Sequence, residues 1–226
     1  MDRGEHFARR GLRRAAGIRR PDRARDRFLA PRTLISLRLF VALPVPSDVA
    51  KECARLGERF STDAVKRVAP ELMHLTLAFI GYVPDTTAAA AAAALRHSLA
   101  GKESIACRLG DAGAFPTANR PRVVWVGLAE GAAAVRERAD AVREALREAR
   151  VPFDEKPAVA HLTVARVRDD VDGAARAAIA ESLRSVRIEP LSFRIDEAIL
   201  FESKLARSGP TYIPLERVPT RRDALA

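Results

Sequence analysis

Cysteine and histidine are scarce in this chain, at two and four residues, and none of them falls in a metal-ligand spacing. That scarcity excludes a disulfide framework and suits a reducing cytoplasm, which is the expected localisation. Cys53 lies on the apolar stripe Val49, Cys53, Leu56, Phe60 of an expected helix, and Cys107 alternates with Ile105 and Leu109 on an expected strand, so both read as small core residues. A run of about 20 apolar residues, the length a membrane-spanning helix needs, is also missing. The alanine-rich stretch 88–94 is too short and too weakly apolar to serve, and no continuous apolar segment of a secretory signal precedes Leu34.

Acidic charge is in deficit, and the deficit has an address. The formal net charge is +10. Eleven arginines and four acids within residues 1–32 give that stretch +7, leaving 28 basic and 25 acidic residues, only +3, for the rest. Almost no apolar periodicity accompanies the arginines, so residues 1–33 are expected to be a disordered extension. Acids interrupt its basic run and no aromatic platform accompanies it. It therefore reads as a targeting presequence or an upstream extension of the reading frame rather than as an RNA-binding arm.

What the chain does have is a repeat. His74-Leu75-Thr76 and His161-Leu162-Thr163 begin the segments HLTLAFIG and HLTVARVR, which share His, Leu, Thr and Ala at the same offsets. Both alternate with the period of a strand. That alternation sets His74, Thr76 and Ala78 on one face and Leu75, Leu77 and Phe79 on the other, and it separates His161, Thr163 and Ala165 from Leu162 and Val164. Each strand thus offers an imidazole and a hydroxyl roughly 7 Å apart on one face, with an oily face behind. A lone strand histidine is usually packed or solvated, but two matching copies point to a paired site. Two imidazoles of ordinary pKa about 6.5 can act as base and acid at near-neutral pH. Opening a cyclic phosphate needs both, because the attacking water must lose a proton and the departing sugar oxygen must gain one. Two hydroxyls can bond the non-bridging oxygens where charge builds up.

With these motifs the sequence resembles the 2H phosphoesterase superfamily, and within it the bacterial RNA 2',3'-cyclic phosphodiesterases, formerly called 2'-5' RNA ligases. The likeness covers about 180 residues. It runs from RLFVALPVP at Arg38–Pro46 through HLTLAFIGYV, the DAGAF and PRVVWVGL segments of Asp111–Leu128 and HLTVAR, to LFESKLARSGPTYIPLERV ending at Val218. The resemblance implies hydrolysis, without metal or cofactor, of a terminal ribose 2',3'-cyclic phosphate to a 2'-phosphate. By motif position it implies His74 as proton donor to the leaving 3'-oxygen and His161 as the acceptor that activates water. Thr76 and Thr163 would hold the phosphate; Arg166 matches an arginine the family carries there and either neutralises the phosphate or stands solvated at the strand end. The family often has proline before the second motif's histidine, whereas Val159-Ala160 stand there in this chain. The partner implied is RNA with cyclic phosphate ends, tRNA fragments among them, with no membrane and no protein partner, the chain acting as a monomer. Three alternatives stay open: 2',5'-linked oligonucleotides, ADP-ribose cyclic phosphate, and an RNA-end-binding or 2'-5' ligase-like module.

Around the motifs, Leu37–Leu43 alternates as another strand, with Leu37, Leu39, Val41 and Leu43 on one face and Arg38, Phe40 and Ala42 on the other. Arg38 and Phe40 are candidate nucleotide contacts, Phe40 either stacking on a base or packing in the core. Tyr212 either borders the same pocket or is an edge-strand tyrosine. Ser47 is expected to cap a helix to about Phe60. Further helices are expected from about Asp85 or Thr86 to Gly101, along Val135, Ala139, Val142 and Leu146, and over about 173–183, with strands at about 104–110, 123–128, from Leu191 and at Tyr212–Leu215. His97 is expected to be merely solvated. This order predicts an α+β fold of two pseudo-symmetric lobes, each a small mainly antiparallel sheet backed by helices, with the site in the cleft between them. The expected organisation is an extension at 1–33, a bilobal domain at 34–218 and a tail at 219–226.

Overall fold

The computed structural model describes residues 36–221. The expectation for 1–33 lies outside them. The strands are β1 (Ser36–Pro44), β2 (Val65–Arg67), β3 (His74–Pro84), β4 (Ile105–Thr117), β5 (Arg120–Glu130), β6 (His161–Val167), β7 (Ser192–Ile195), β8 (Glu197–Ala206) and β9 (Gly209–Pro219). The helices are α1 (Ser47–Glu58), α2 (Thr87–Leu99), α3 (Ala132–Glu148) and α4 (Gly173–Ser185). The expected α+β class and antiparallel halves are present. The strand order is β7-β4-β5-β6-β3-β1-β8-β9, with β2 on β6.

The two halves, β7-β4-β5-β6 and β3-β1-β8-β9, meet at one residue pair. Leu75 of β3 opposes Leu162 of β6, and no further pair is made between these strands. Both leucines are fully buried, each worth about 1.5–3 kcal/mol of transfer free energy. The repeated motifs therefore form the hinge line of a continuous sheet rather than the centres of two separate sheets. The chain crosses this line repeatedly. Helix α1, which follows β1, packs on β6 and β2 of the other half, while α3 packs against β3 and α2. This interlacing ties the two half-sheets together across the described residues.

Local chemistry explains where some boundaries shift. Ser47 is the first residue of α1, not its cap; Pro46 holds the cap position and no side chain bonds there. At α4, Asp172 caps by accepting a hydrogen bond from the Ala175 amide at 2.7 Å. The expected tail from 219 begins inside structure: β9 ends at Pro219, and Arg221 donates its amide to Lys102 and accepts from that of Ser104. Cys53 and Cys107 are buried and free, as their periodicity predicts.

Candidate active site

The motif strands share a departure from ideal alternation. Against β1, Val41 pairs with Ala78 and Ala42 with Thr76, so Leu77 is the extra residue of a β-bulge. Against β5, Val124 pairs with Ala165 and Trp125 with Thr163, leaving Val164 as the extra residue. Leu77 and Val164 each stand three residues beyond their histidine. The bulge reverses the alternation for the residues just past it, and in β3 a second register shift at Ile80 reverses it again. Ala78 and Ala165, expected beside the histidines, are buried in the core. Phe79 and Arg166, on the oily face by simple parity, line the cleft instead.

The histidines are oriented alike. His74 Nδ1 lies 2.8 Å from the Leu72 carbonyl oxygen, and His161 Nδ1 lies 2.8 Å from that of Val159. A carbonyl can only accept, so each Nδ1 carries the proton and donates, leaving Nε2 free to take or give one. The partner in both cases is the backbone two residues upstream, so a proline before His161 is not needed for the anchor.

Around these rings lies a cavity of about 590 Å³ that includes His74, Thr76, His161, Thr163, Arg166, Arg38, Phe40 and Tyr212 in its lining. Every residue singled out from the sequence is therefore in one place. The lining holds four cationic side chains, Arg38, Lys66, Arg67 and Arg166, and no carboxylate. Such a site favours an anion. Arg67 is tied back, donating to the Glu58 and Phe60 carbonyls. Arg38 donates to the Ser203 hydroxyl at 2.9 Å and lies over the Phe79 ring at 4.6 Å.

Phe40 does not present itself as a stacking platform. It is 3% exposed, stacked on Phe201 at 5.2 Å, with His74 at 5.0 Å and Tyr212 at 4.8 Å. It packs as a core residue that props the first histidine. Tyr212 stands edge-on to His74 at 5.4 Å, and burial raises its hydroxyl above the usual tyrosine range, so it stays a hydrogen-bond donor. His161 has its own aromatic support, with Phe115 edge-on at 5.0 Å and Trp125 at 6.4 Å.

Burial above all, helped by the charges of His161 and Arg166 and opposed by the Leu72 hydrogen bond, holds His74 down at about 4. His161 is lowered by burial and by Arg166, against the Val159 bond. The rings are coupled, each disfavouring a proton while the other is charged. Sequence reasoning missed Lys66, Phe79, Phe115, Trp125 and Leu205. The lone tryptophan in Trp125-Val126-Gly127 was a usable signal, whereas Phe79 was hidden by the bulge. His97 is exposed on α2, away from the cleft.

Two imidazoles, two hydroxyls and guanidinium groups around one cleft, on duplicated strands of an antiparallel sheet, define a two-histidine phosphoesterase architecture. The chain belongs to the 2'-5' RNA ligase superfamily, whose family model matches residues 45–206. An RNA 2',3'-cyclic phosphodiesterase of Methanothermobacter thermautotrophicus is 29% identical over 190 residues, covering 80% of this chain and 98% of the relative. The Aeropyrum pernix protein of the same name is 32% identical over 170 residues, covering 73% and 93%. Among solved structures, E. coli LigT complexed with 3'-AMP matches with a TM-score of 0.64 at 25% identity, over 82% of this chain and 99% of that one.

Proposed function

We propose that this chain hydrolyses the 2',3'-cyclic phosphate at the end of an RNA to a 2'-phosphate, with His161 as general base and His74 as general acid. The observation that carries the reading is the matched pair of Nδ1 anchors, which leave two Nε2 atoms on one cationic cavity. Neutral His161 takes a proton from water as its oxygen attacks phosphorus. His74 gives a proton to the 3'-oxygen as the P–O3' bond breaks, and the rings then exchange their proton through solvent. The Thr76 and Thr163 hydroxyls donate to the non-bridging oxygens, and Arg166 offsets their charge. Both protons pass through protein rings, and no step uses a metal.

The low pKa of His74 fits this only once substrate is counted. An anionic phosphodiester beside the ring favours the imidazolium, so binding raises the pKa and loads the acid with the proton it must deliver. Burial, with a smaller contribution from Arg166, holds His161 below its ordinary value, which suits the base.

Turnover of a cyclic-ended oligonucleotide, a 2',5'-linked oligoadenylate and ADP-ribose cyclic phosphate under one set of conditions tests the assignment. Hydrolysis of the cyclic-ended RNA with the highest kcat/KM is expected. Failure on it with activity on either other substrate would move the assignment there.

A further inference from the structure

A second cavity, of about 580 Å³, adjoins the cleft at His74. The two share Leu72, His74, Pro210 and Tyr212 as a common wall. None of its lining comes from β4 to β7, so it belongs to the half-sheet that carries the first histidine. The corresponding flank of the other half holds a cavity bordered by Arg108, Asp111, Trp125 and Gly127, which shares no residue with the cleft. Of these two flanks, the one beside His74 is continuous with the site among the described residues.

In-line displacement makes that asymmetry meaningful. If water attacks from the His161 side, the 3'-oxygen departs on the His74 side, and the terminal ribose lies there with it. The 5'-carbon of that ribose, and everything upstream, then leads away from His161 and towards the second cavity. Its lining combines apolar Ile199 and Phe201 with Lys51, Thr211 and Arg217, and one carboxylate, the exposed Glu71. Arg217 is held by Glu197 at 2.8 Å, whereas Lys51 is exposed and makes no ion pair among the described residues. The volume lies within the range of about 300–1,000 Å³ common for small-molecule pockets.

We infer that this second cavity receives the nucleotide on the 5' side of the cyclic end, with Lys51 and Thr211 on its phosphodiester, so that the enzyme reads an RNA strand rather than a lone cyclic nucleotide. The inference rests on the acid and base assignments above.

The full chain is assayed on adenosine 2',3'-cyclic phosphate and on a cyclic-ended trinucleotide, as parent and as Lys51→Glu, Thr211→Trp and Arg108→Glu. The parent is expected to show the lower KM for the trinucleotide. Lys51→Glu should raise that KM about fivefold, the effect of one surface ion contact, Thr211→Trp should raise it by filling the groove, and both should leave kcat/KM for the mononucleotide unchanged. In Lys51→Glu the slope of log KM against log salt should flatten by about 0.7, one phosphate contact on a single strand. Equal losses on both substrates, no loss on the trinucleotide, or a loss confined to Arg108→Glu would overturn the inference. If the parent hydrolyses neither substrate, the catalytic reading fails by itself. Binding of a trinucleotide ending in a 2'-phosphate then decides the groove alone, with affinity lowered in Lys51→Glu supporting it and equal affinity overturning it.

Discussion

The strands β3 and β6 begin with the same tripeptide, anchor their histidines on the same upstream carbonyl and carry the same bulge, yet they deliver different residues next. Five positions past His161 stands Arg166; five past His74 stands Phe79, whose ring backs the guanidinium of Arg38 brought from β1. The repeat thus duplicates a backbone device, and side chains outside the tripeptide make its copies unequal. His74 is enclosed by Phe40 and Tyr212 and is the more strongly depressed ring, while His161 lies between Phe115 and Arg166. Identical orientation with unequal environment is what an acid and a base on one phosphorus require.

Removing either ring breaks the comparison most severely. His74→Ala and His161→Ala should each lower kcat by about 10²- to 10⁴-fold, or roughly 3 to 5 kcal/mol, while affinity for a 2'-phosphate-ended RNA changes little. A large loss in only one variant would mean that the symmetry is structural and one proton carrier suffices.

The environments themselves can be compared through stability. An unfolded histidine titrates near 6.5 and native His74 near 4, so between these values the unfolded chain binds more protons. Stability from this group is present above about pH 6.5 and is lost as pH falls towards 4, by up to about 3 kcal/mol. Urea unfolding at pH 7 and pH 4.5 should show that loss in the parent and a clearly smaller one in His74→Gln, with His161→Gln intermediate. Equal pH dependence in all three would show that neither ring is buried as described.

A smaller change sharpens the contrast in aromatic support. A Cβ at Gly113 would collide with the indole of Trp125, which packs with Phe115 beside His161. Gly113→Ala should therefore cost about 1–3 kcal/mol of stability and lower kcat through His161, leaving the pKa of His74 in place. An NMR titration of both rings distinguishes this from general loosening, which would move both.

Much of the site was legible because it was written twice. A duplicated His-Leu-Thr in alternating segments is a local signal, and Thr76, Thr163, Arg38 and Tyr212 followed from strand parity or from the family likeness. Parity failed where an extra residue entered the strand. Nothing in HLTLAF or HLTVAR marks Leu77 or Val164 as a bulge, since a bulge is set by register against β1 and β5. Phe79 was consequently assigned to the wrong face, and Ala78 and Ala165 to the cleft. Lys66 was missed for a related reason: β2 is three residues long and exists through its pairing with β6. The joining of two half-sheets through Leu75 and Leu162 is likewise a contact between distant segments, with no local trace.

The position of His74 at the leaving 3'-oxygen, opposite a water-activating His161, is tested most directly by the product formed from a cyclic-ended oligonucleotide. Phosphorus NMR or chromatography against authentic standards should show a 2'-phosphate and a free 3'-hydroxyl. A 3'-phosphate product would put the acid on the wrong sugar oxygen and contradict the arrangement.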